Sequence, residues 1–324
     1  MSVIDREPRR GLAEVRSRSL SLTSGRTLRA YVRNPWCRPR LIRIVAWSYL
    51  VFALVPVIMA ILFSFNDGRS RSVFDGLSMR WWTGDETFAL FHNPAMLDAI
   101  AQSLKLAAVD VAVATPLGVL LAVGLSRWRG RGSRAANLLM LAPLVTPELT
   151  AAVGLFLVFT QVAIPPFTVI HFGTATQVVG QVTLALPFVV VVVRGRLASI
   201  GRQYEEAAQD LGATPLQSLR LVLVPMLSPA IVASALLVFV LSIDNFVVTQ
   251  YMAGGPTTTT VPMYIYATAR GSAVTPALNA LATVMTLSTL LPALAALGIH
   301  RWWGRRNRRR SERRGQLTAE LEER

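Results

Sequence analysis

Three acidic residues of this 324-residue chain sit inside long apolar runs: Asp110, Glu148 and Asp244, the last followed by Asn245. A carboxylate in such a run is costly to place, so it lines a polar path or pairs with another group. For Asp244, path-lining stands level with a bundle hydrogen bond or a salt bridge to a neighbouring chain. For Asp110 and Glu148, structural pairing is the simpler reading. Lys105 lies about one and a half turns before Asp110, too far for an ideal i, i+4 pair. A second group of residues falls between the apolar runs, where from Tyr204 the chain reads YEEAAQDLGATPLQSLRLVLVP. Tyr204, Ala207, Ala208 and Leu211 recur at i, i+3, i+4 and i+7, one face of a helix. Gly212 follows, the residue that accepts the left-handed conformation ending helices. Thr214 and Pro215 then supply an N-cap and a favoured first helical position, and Leu216, Leu219 and Leu223 continue an apolar stripe. The spacing predicts two short helices meeting at a glycine turn, a partly apolar knob suited to a groove in another protein.

Several chemistries lack their residues. A phosphate-binding P-loop needs Gly-x-x-x-x-Gly-Lys-Ser/Thr; the sole lysine, Lys105, stands between Leu104 and Leu106. The sequence therefore expects no nucleotide site of this kind. Cys37 is the one cysteine, which rules out an internal disulfide. His92, His171 and His300 fall in separate segments, whereas a metal site needs converging ligands. No metal site is expected. No Ser/His/Asp set and no nucleophile context mark a membrane-anchored enzyme.

These residues must be positioned by membrane-spanning helices. The chain is 52% hydrophobic and only 16% charged, against about 25% charged in soluble domains. About 20 apolar residues cross the hydrocarbon core, and six segments qualify: Ile44–Phe65, Leu97–Leu125, Ala135–Phe159, Ala175–Val193, Met226–Tyr251 and Pro276–Ile299. The first is read as a retained span and not a cleaved signal peptide. Internal prolines such as Pro56, Pro116, Pro187 and Pro292 are tolerated in bundled membrane helices.

The net charge of +15 is carried almost wholly by arginine. Arginines crowd the leader up to Arg43, the second connection (Arg127, Arg129, Arg131, Arg134), the fourth (Arg194, Arg196, Arg202, Arg220) and the tail from Arg301. The opposite side holds Arg69, Arg71, Arg80 and Arg270. Because basic residues stay cytoplasmic in short loops, both termini are expected inside, which requires an even number of spans. A basic tail directly after a span, beside Trp302 and Trp303, is read as a topology determinant and a contact for membrane lipid, not for nucleic acid. Trp47, Tyr49 and Trp128 mark the same boundary. The external segment Asn66–Met96, with Trp81 and Trp82, is long enough for a short amphipathic piece on the membrane surface. The expected organisation is an Arg-rich leader at 1–43, a six-helix membrane domain at 44–300 with a cytoplasmic loop at about 195–225, and a basic tail at 301–324.

The loop resembles the EAA signature of ABC importer permeases: Glu206-Ala207-Ala208, three residues, Gly212, nine residues, Val222, one residue, Val224 and Pro225. The likeness extends over about Val45 to Ile299. It is nearest to the second permease of spermidine/putrescine-type importers, through SFND at Ser64–Asp67, NPAMLDAIAQSL at Asn93–Leu104 and TPE at Thr146–Glu148. LPFVVVVVRGRL at Leu186–Leu197, LSIDNFVVTQYMAGG at Leu241–Gly255 and PALNALATVM at Pro276–Met285 extend it. The leader and the tail depart from that core. The resemblance implies an all-α, polytopic type I ABC importer permease fold with six transmembrane helices, in the bacterial inner membrane. It implies a non-catalytic subunit working with a second homologous permease, two ATPase subunits that bind ATP and Mg, and an external solute-binding protein. It also implies that the loop docks into the ATPase, with Glu206 meeting a basic residue there and Gly212 setting the angle between the coupling helices. Asp244, Asn245, Asp110 and Glu148 would face a cationic cargo such as a polyamine, while ferric iron, thiamine, opines or amino-acid-like solutes remain alternative cargoes. A secondary transporter would be expected to show paired inverted repeats, which the sequence lacks.

Overall fold

The computed structural model describes residues 40–70, 73–128, 130–161, 171–271 and 275–322, with side chains from Leu41 to Ile299. Most of the Arg-rich leader, Cys37, Arg129 and the side chains of the basic tail with Trp302 and Trp303 lie outside the described residues. Contacts divide the chain into two units, residues 1–59 and 60–324. The first holds most of α1 (Arg40–Phe63), an apolar rod with Pro56 inside it.

In the second unit the described residues are helical apart from turns and one isolated bridge between Asn66 and Leu77. Helix α2 (Pro94–Arg127) starts where Asn93 Oδ1 accepts from Ala95 and Met96 N–H, with Pro94 at the first position. The region expected as one continuous third span is instead two helices, α3 (Ser133–Val145) and α4 (Glu148–Gln161), bent by 111°. Pro147 explains the break: it offers no N–H and forces its predecessor out of the helical region, and Thr146 is extended at φ −73, ψ 128. Helix α5 (Thr174–Ile200) ends at Gly201, whose φ of +74 only glycine adopts freely. Beyond it lie α6 (Gln203–Asp210) and α7 (Pro215–Ser218), which leads through a wide turn at Leu219–Leu223 into α8 (Val224–Asp244). The fifth span was expected to continue to Tyr251, but it stops at Asp244. Asn245 is extended, and its Oδ1 accepts from Val248 and Thr249 N–H, starting α9 (Val247–Tyr251) afresh. Helices α10 (Val261–Arg270) and α11 (Ala277–Glu322) complete the unit. Helix α11 runs unbroken past Ile299 into the tail, while its stretch long and apolar enough to span ends at Ile299.

Among the described residues, five helices, counting Pro215–Asp244 as one rod, are long and apolar enough to cross a bilayer, and α3 with α4 makes a sixth if the bent pair is one span. Contacts within the unit favour that count. Gln102 near the start of α2 donates to Thr174 and Gln177 at the start of α5 (3.0 and 3.1 Å). At the far end, Arg127 pairs with Glu205, just beyond α5. So α2 and α5 run parallel, and the chain between them must return across the bundle, the interval that α3 and α4 occupy.

Helices α2, α5 and α8 form the centre. Helix α2 turns Ala107, Ala114, Gly118 and Ala122 inward, all buried, and such small residues let membrane helices approach closely. A Cβ on Gly118 would lie 2.5 Å from Val189 Cγ1. A second apolar cluster joins Trp81, Leu90, Met96 and Ala99 to Val261 and to Ala277–Leu281 of α11. Trp81 is thus a core side chain, where the sequence suggested a piece resting on the membrane surface. Nearby, the N–H groups of Phe88 and Thr87 bond to Asp85 and hold its carboxyl below the usual carboxylate range.

Candidate functional site

The segment between the fourth and fifth spans is set by local rules. Helix α6 ends as Gly212 turns with φ +88, and its N–H donates to Gln209 O (2.8 Å) while Ala213 N–H donates to Ala208 O (3.0 Å). Thr214 and Gln217 then cap α7 reciprocally: Thr214 Oγ1 accepts from Gln217 N–H (3.3 Å) and Gln217 Oε1 from Thr214 N–H (2.8 Å). The glycine turn and the cap lie where the spacing put them. The second short helix does not end, however. It runs on into the fifth span, because the wide turn closed by Val224 N–H on Leu219 O absorbs Pro225, which has no N–H to give.

That turn also rotates the expected leucine stripe. Leu223 is buried and Leu219 half-buried, while Leu216 is 72% exposed. Leu211, at 91% exposed, and Leu221 join Leu216 on the uncovered surface. Glu206, Ala207, Gly212 and Pro225 are exposed, Ala208 and Val222 half-buried, and Val224 borders on exposed. The sequence reading passed over Glu205, which pairs with Arg127 at the end of α2. The only signal for it was an acid one position earlier, on a different face of the same helix.

The second constellation is a cavity of about 350 Å³. All four residues singled out from the apolar runs line it: Asp110 from α2, Glu148 from the first turn of α4, Asp244 from the end of α8, and Asn245. Gln181 of α5, Ser242 of α8 and Thr146 complete its polar wall. Nothing in their sequence spacing foretells that convergence. The break at Pro147 brings Glu148 to a helix start, and Asn245 Nδ2 donates to Glu148 Oε1 at 2.7 Å. Asp110 is fully buried, and its Oδ2 accepts from Ser242 Oγ at 2.6 Å. Ser242 Oγ also lies 2.5 Å from the Gln181 amide. A hydroxyl has one proton, so with Asp110 ionised the Gln181 NH₂ donates to Ser242 and Ser242 donates to Asp110. Asp110 Oδ1 has no hydrogen-bond partner among the described residues. Asp244, expected inside the fifth span, is exposed at the end of α8, because the span stops there. The ion pairs among the described residues, Arg80–Asp85 and Arg127–Glu205, involve none of the cavity's carboxyl groups.

A polar cluster missed by the sequence reading braces the region. Gln177, fully buried in α5, accepts from Gln102 and donates to Thr249 O (3.1 Å) and Thr258 O (2.9 Å). It ties α2 and α5 to the segment that follows the cavity. Glutamine in an apolar run is a weak signal by itself, since its partners lie about 70 to 80 residues away in sequence.

Residues 114–309 match the family of binding-protein-dependent transport system inner membrane components. The chain is 35% identical over 273 residues to the putrescine transport system permease protein PotI of Escherichia coli (strain K12), covering 84% of this chain and 91% of that protein. It is 32% identical over 245 residues to the spermidine/putrescine transport system permease protein PotC of the same strain, covering 76% and 88%. In fold it is similar to a chain of a bacterial ABC transporter involved in the import of the acidic polysaccharide alginate, with a TM-score of 0.66 and 18% identity over 85% of this chain and 98% of that one. The expected helical permease fold and inner-membrane location agree with these matches. The chain belongs to the binding-protein-dependent transport system inner membrane components, the non-catalytic, membrane-spanning permease subunits of ABC importers.

Proposed function

We propose that this chain forms part of the translocation path for a small cationic solute, a polyamine such as putrescine or spermidine. The observation that carries the reading is the cavity: Asp110, Glu148 and Asp244 face one space, and no described cation pairs with them. Carboxylates so placed suit the ammonium groups of a diamine, and two relatives are named for putrescine and spermidine transport. In this reading the cargo arrives from an external binding protein. A second homologous permease completes the path, and two ATPase subunits holding ATP and Mg drive it. The surface of Glu206, Ala207, Ala208 and Gly212, with Val222, Val224 and Pro225 behind it, receives the ATPase. Both termini are then cytoplasmic, as the arginine distribution requires.

The test is uptake of labelled putrescine by cells that lack their own polyamine importers and express the complete importer. Asp244→Asn and Asp110→Asn should each lower uptake by about tenfold, the scale of losing one charge-assisted contact, while co-purification of the ATPase is unchanged. Putrescine uptake at wild-type level in both variants would remove the cavity from the path.

A further inference from the structure

Two glutamates open the coupling helix, and the structure uses them differently. Glu206 is exposed. Glu205 turns inward and pairs with Arg127, with the Glu205 side chain 14% exposed and that of Arg127 30% exposed. Arg127 is the last residue of α2 and Glu205 lies in the first turn of α6. Charge and helix ends agree at both partners: a cation is favoured in a last turn and an anion in a first turn. The pair therefore joins α6 to a span with which it is not continuous in sequence.

Covalently, α6 leads onward through Gly212 to the rod Pro215–Asp244. Gly212 has left-handed backbone and open space around its Cα, so that turn is a soft joint. The other neighbour, α5, ends at Gly201, a second left-handed glycine with nothing near it. Helix α6 is thus flanked by two glycine joints, and it packs on α7 and the wide turn at Leu219–Leu223. A push on α6 arriving through these joints alone would be absorbed in backbone rotation. Helix α2, by contrast, is continuous from Arg127 to Asp110 on the cavity wall.

From this geometry we infer that the Arg127–Glu205 pair latches the coupling helix to α2, so that the two move as one unit and α2 delivers the motion to the cavity. Arg127 and Glu205 are positioning residues, touching neither cargo nor nucleotide. The inference rests on the permease reading but not on the identity of the cargo. A latch predicts more than a loss on mutation. It predicts that the sign of each charge is free so long as the two are opposite, and that distances across the latch stay constant through the ATPase cycle.

The experiment uses the complete importer with Cys37 replaced by Ser, reconstituted in proteoliposomes. Putrescine uptake and ATP hydrolysis are measured on the same preparation. Arg127→Glu and Glu205→Arg should each lower putrescine moved per ATP hydrolysed by about tenfold, within the range of coupling between linked sites. The double swap should return the ratio to within about twofold of the parent, since the opposite charges are restored. Glu205→Gln is the milder variant should a reversed charge block assembly. A second readout needs no cargo: nitroxide labels at Leu121 on α2 and Gln203 on α6, both exposed, read by pulsed distance measurement with and without trapped ATP. The expected result is one unchanged distance in the parent and a broadened or shifted one in Glu205→Gln. A distance that shifts with ATP in the parent overturns the latch. So do single swaps that leave the ratio unaltered, or a double swap that fails to restore it. If the parent moves no putrescine, the cargo assignment fails by itself, and the distance measurement still decides the latch.

Discussion

Glu205 and Glu206 are separated by about 100° around α6, and that rotation sends one to Arg127 and leaves the other exposed. An exposed acid beside an uncovered apolar surface of Leu211 and Leu216 is what a docking partner can read. Glu206→Lys is expected to abolish uptake by loss of ATPase docking, with membrane insertion and yield unchanged. Uptake within about twofold of wild type, a difference under 0.5 kcal/mol, would count against its coupling role. Inside the bundle, Asp110 depends on Ser242 in a different way. The Ser242 hydroxyl relays between Gln181 and Asp110, and its removal leaves two buried polar groups short of a partner. Such a loss costs about 1–3 kcal/mol.

At the scale of elements, two glycines make opposite demands. Gly212 needs its φ of +88 but has open space around it. Gly212→Ala should therefore cost only the left-handed strain, about 1–2 kcal/mol, without disturbing helix packing. Gly118 is helical, and its problem is contact: an added Cβ would lie 2.5 Å from Val189 Cγ1 and 2.6 Å from Val189 Cβ. Gly118→Val should push α2 from α5 at a cost of about 1–3 kcal/mol or more. Thermal unfolding in detergent checks the ordering, with Gly118→Val having the lower midpoint. Equal midpoints would show that α2 and α5 are not held at the close approach described. The broken helices follow the same local logic, since Pro147 and Asn245 each end one rod and start another at the cavity rim.

For the whole molecule, the parallel course of α2 and α5 has a topological consequence. Helix α8 leaves the coupling end and reaches Asp110 and Gln181 at Ser242. Helix α11 starts among Trp81, Met96 and Ala99 at the opposite end and runs back. The tail beyond Ile299 and the coupling helices therefore share one end of the second unit. A topology reporter fused after Arg324 should read as cytoplasmic, and so should one inserted at Gly201. Opposite readings at the two positions would mean that α8 or α11 does not cross, and non-cytoplasmic readings at both would mean that α3 and α4 re-enter without crossing.

The sequence by itself determined the parts that depend on neighbours in the chain. Transfer of about 20 apolar residues into lipid is a local free energy, so four of the six spans were legible to within several residues. The turn at Gly212 and the cap at Thr214 depend on residues within one helical turn, and they too were legible. The arginine asymmetry needed no contacts at all. The third and fifth spans were read as too continuous, because hydropathy is blind to the backbone donors that Pro147 lacks and to the cap that Asn245 supplies. The tertiary structure alone decided what converges. Asp110, Glu148 and Asp244 come from three helices, and only packing through small residues such as Gly118 brings them to one cavity. Glu205 finds Arg127 across 78 positions of chain, a pairing set by the parallel course of α2 and α5 that no local spacing encodes.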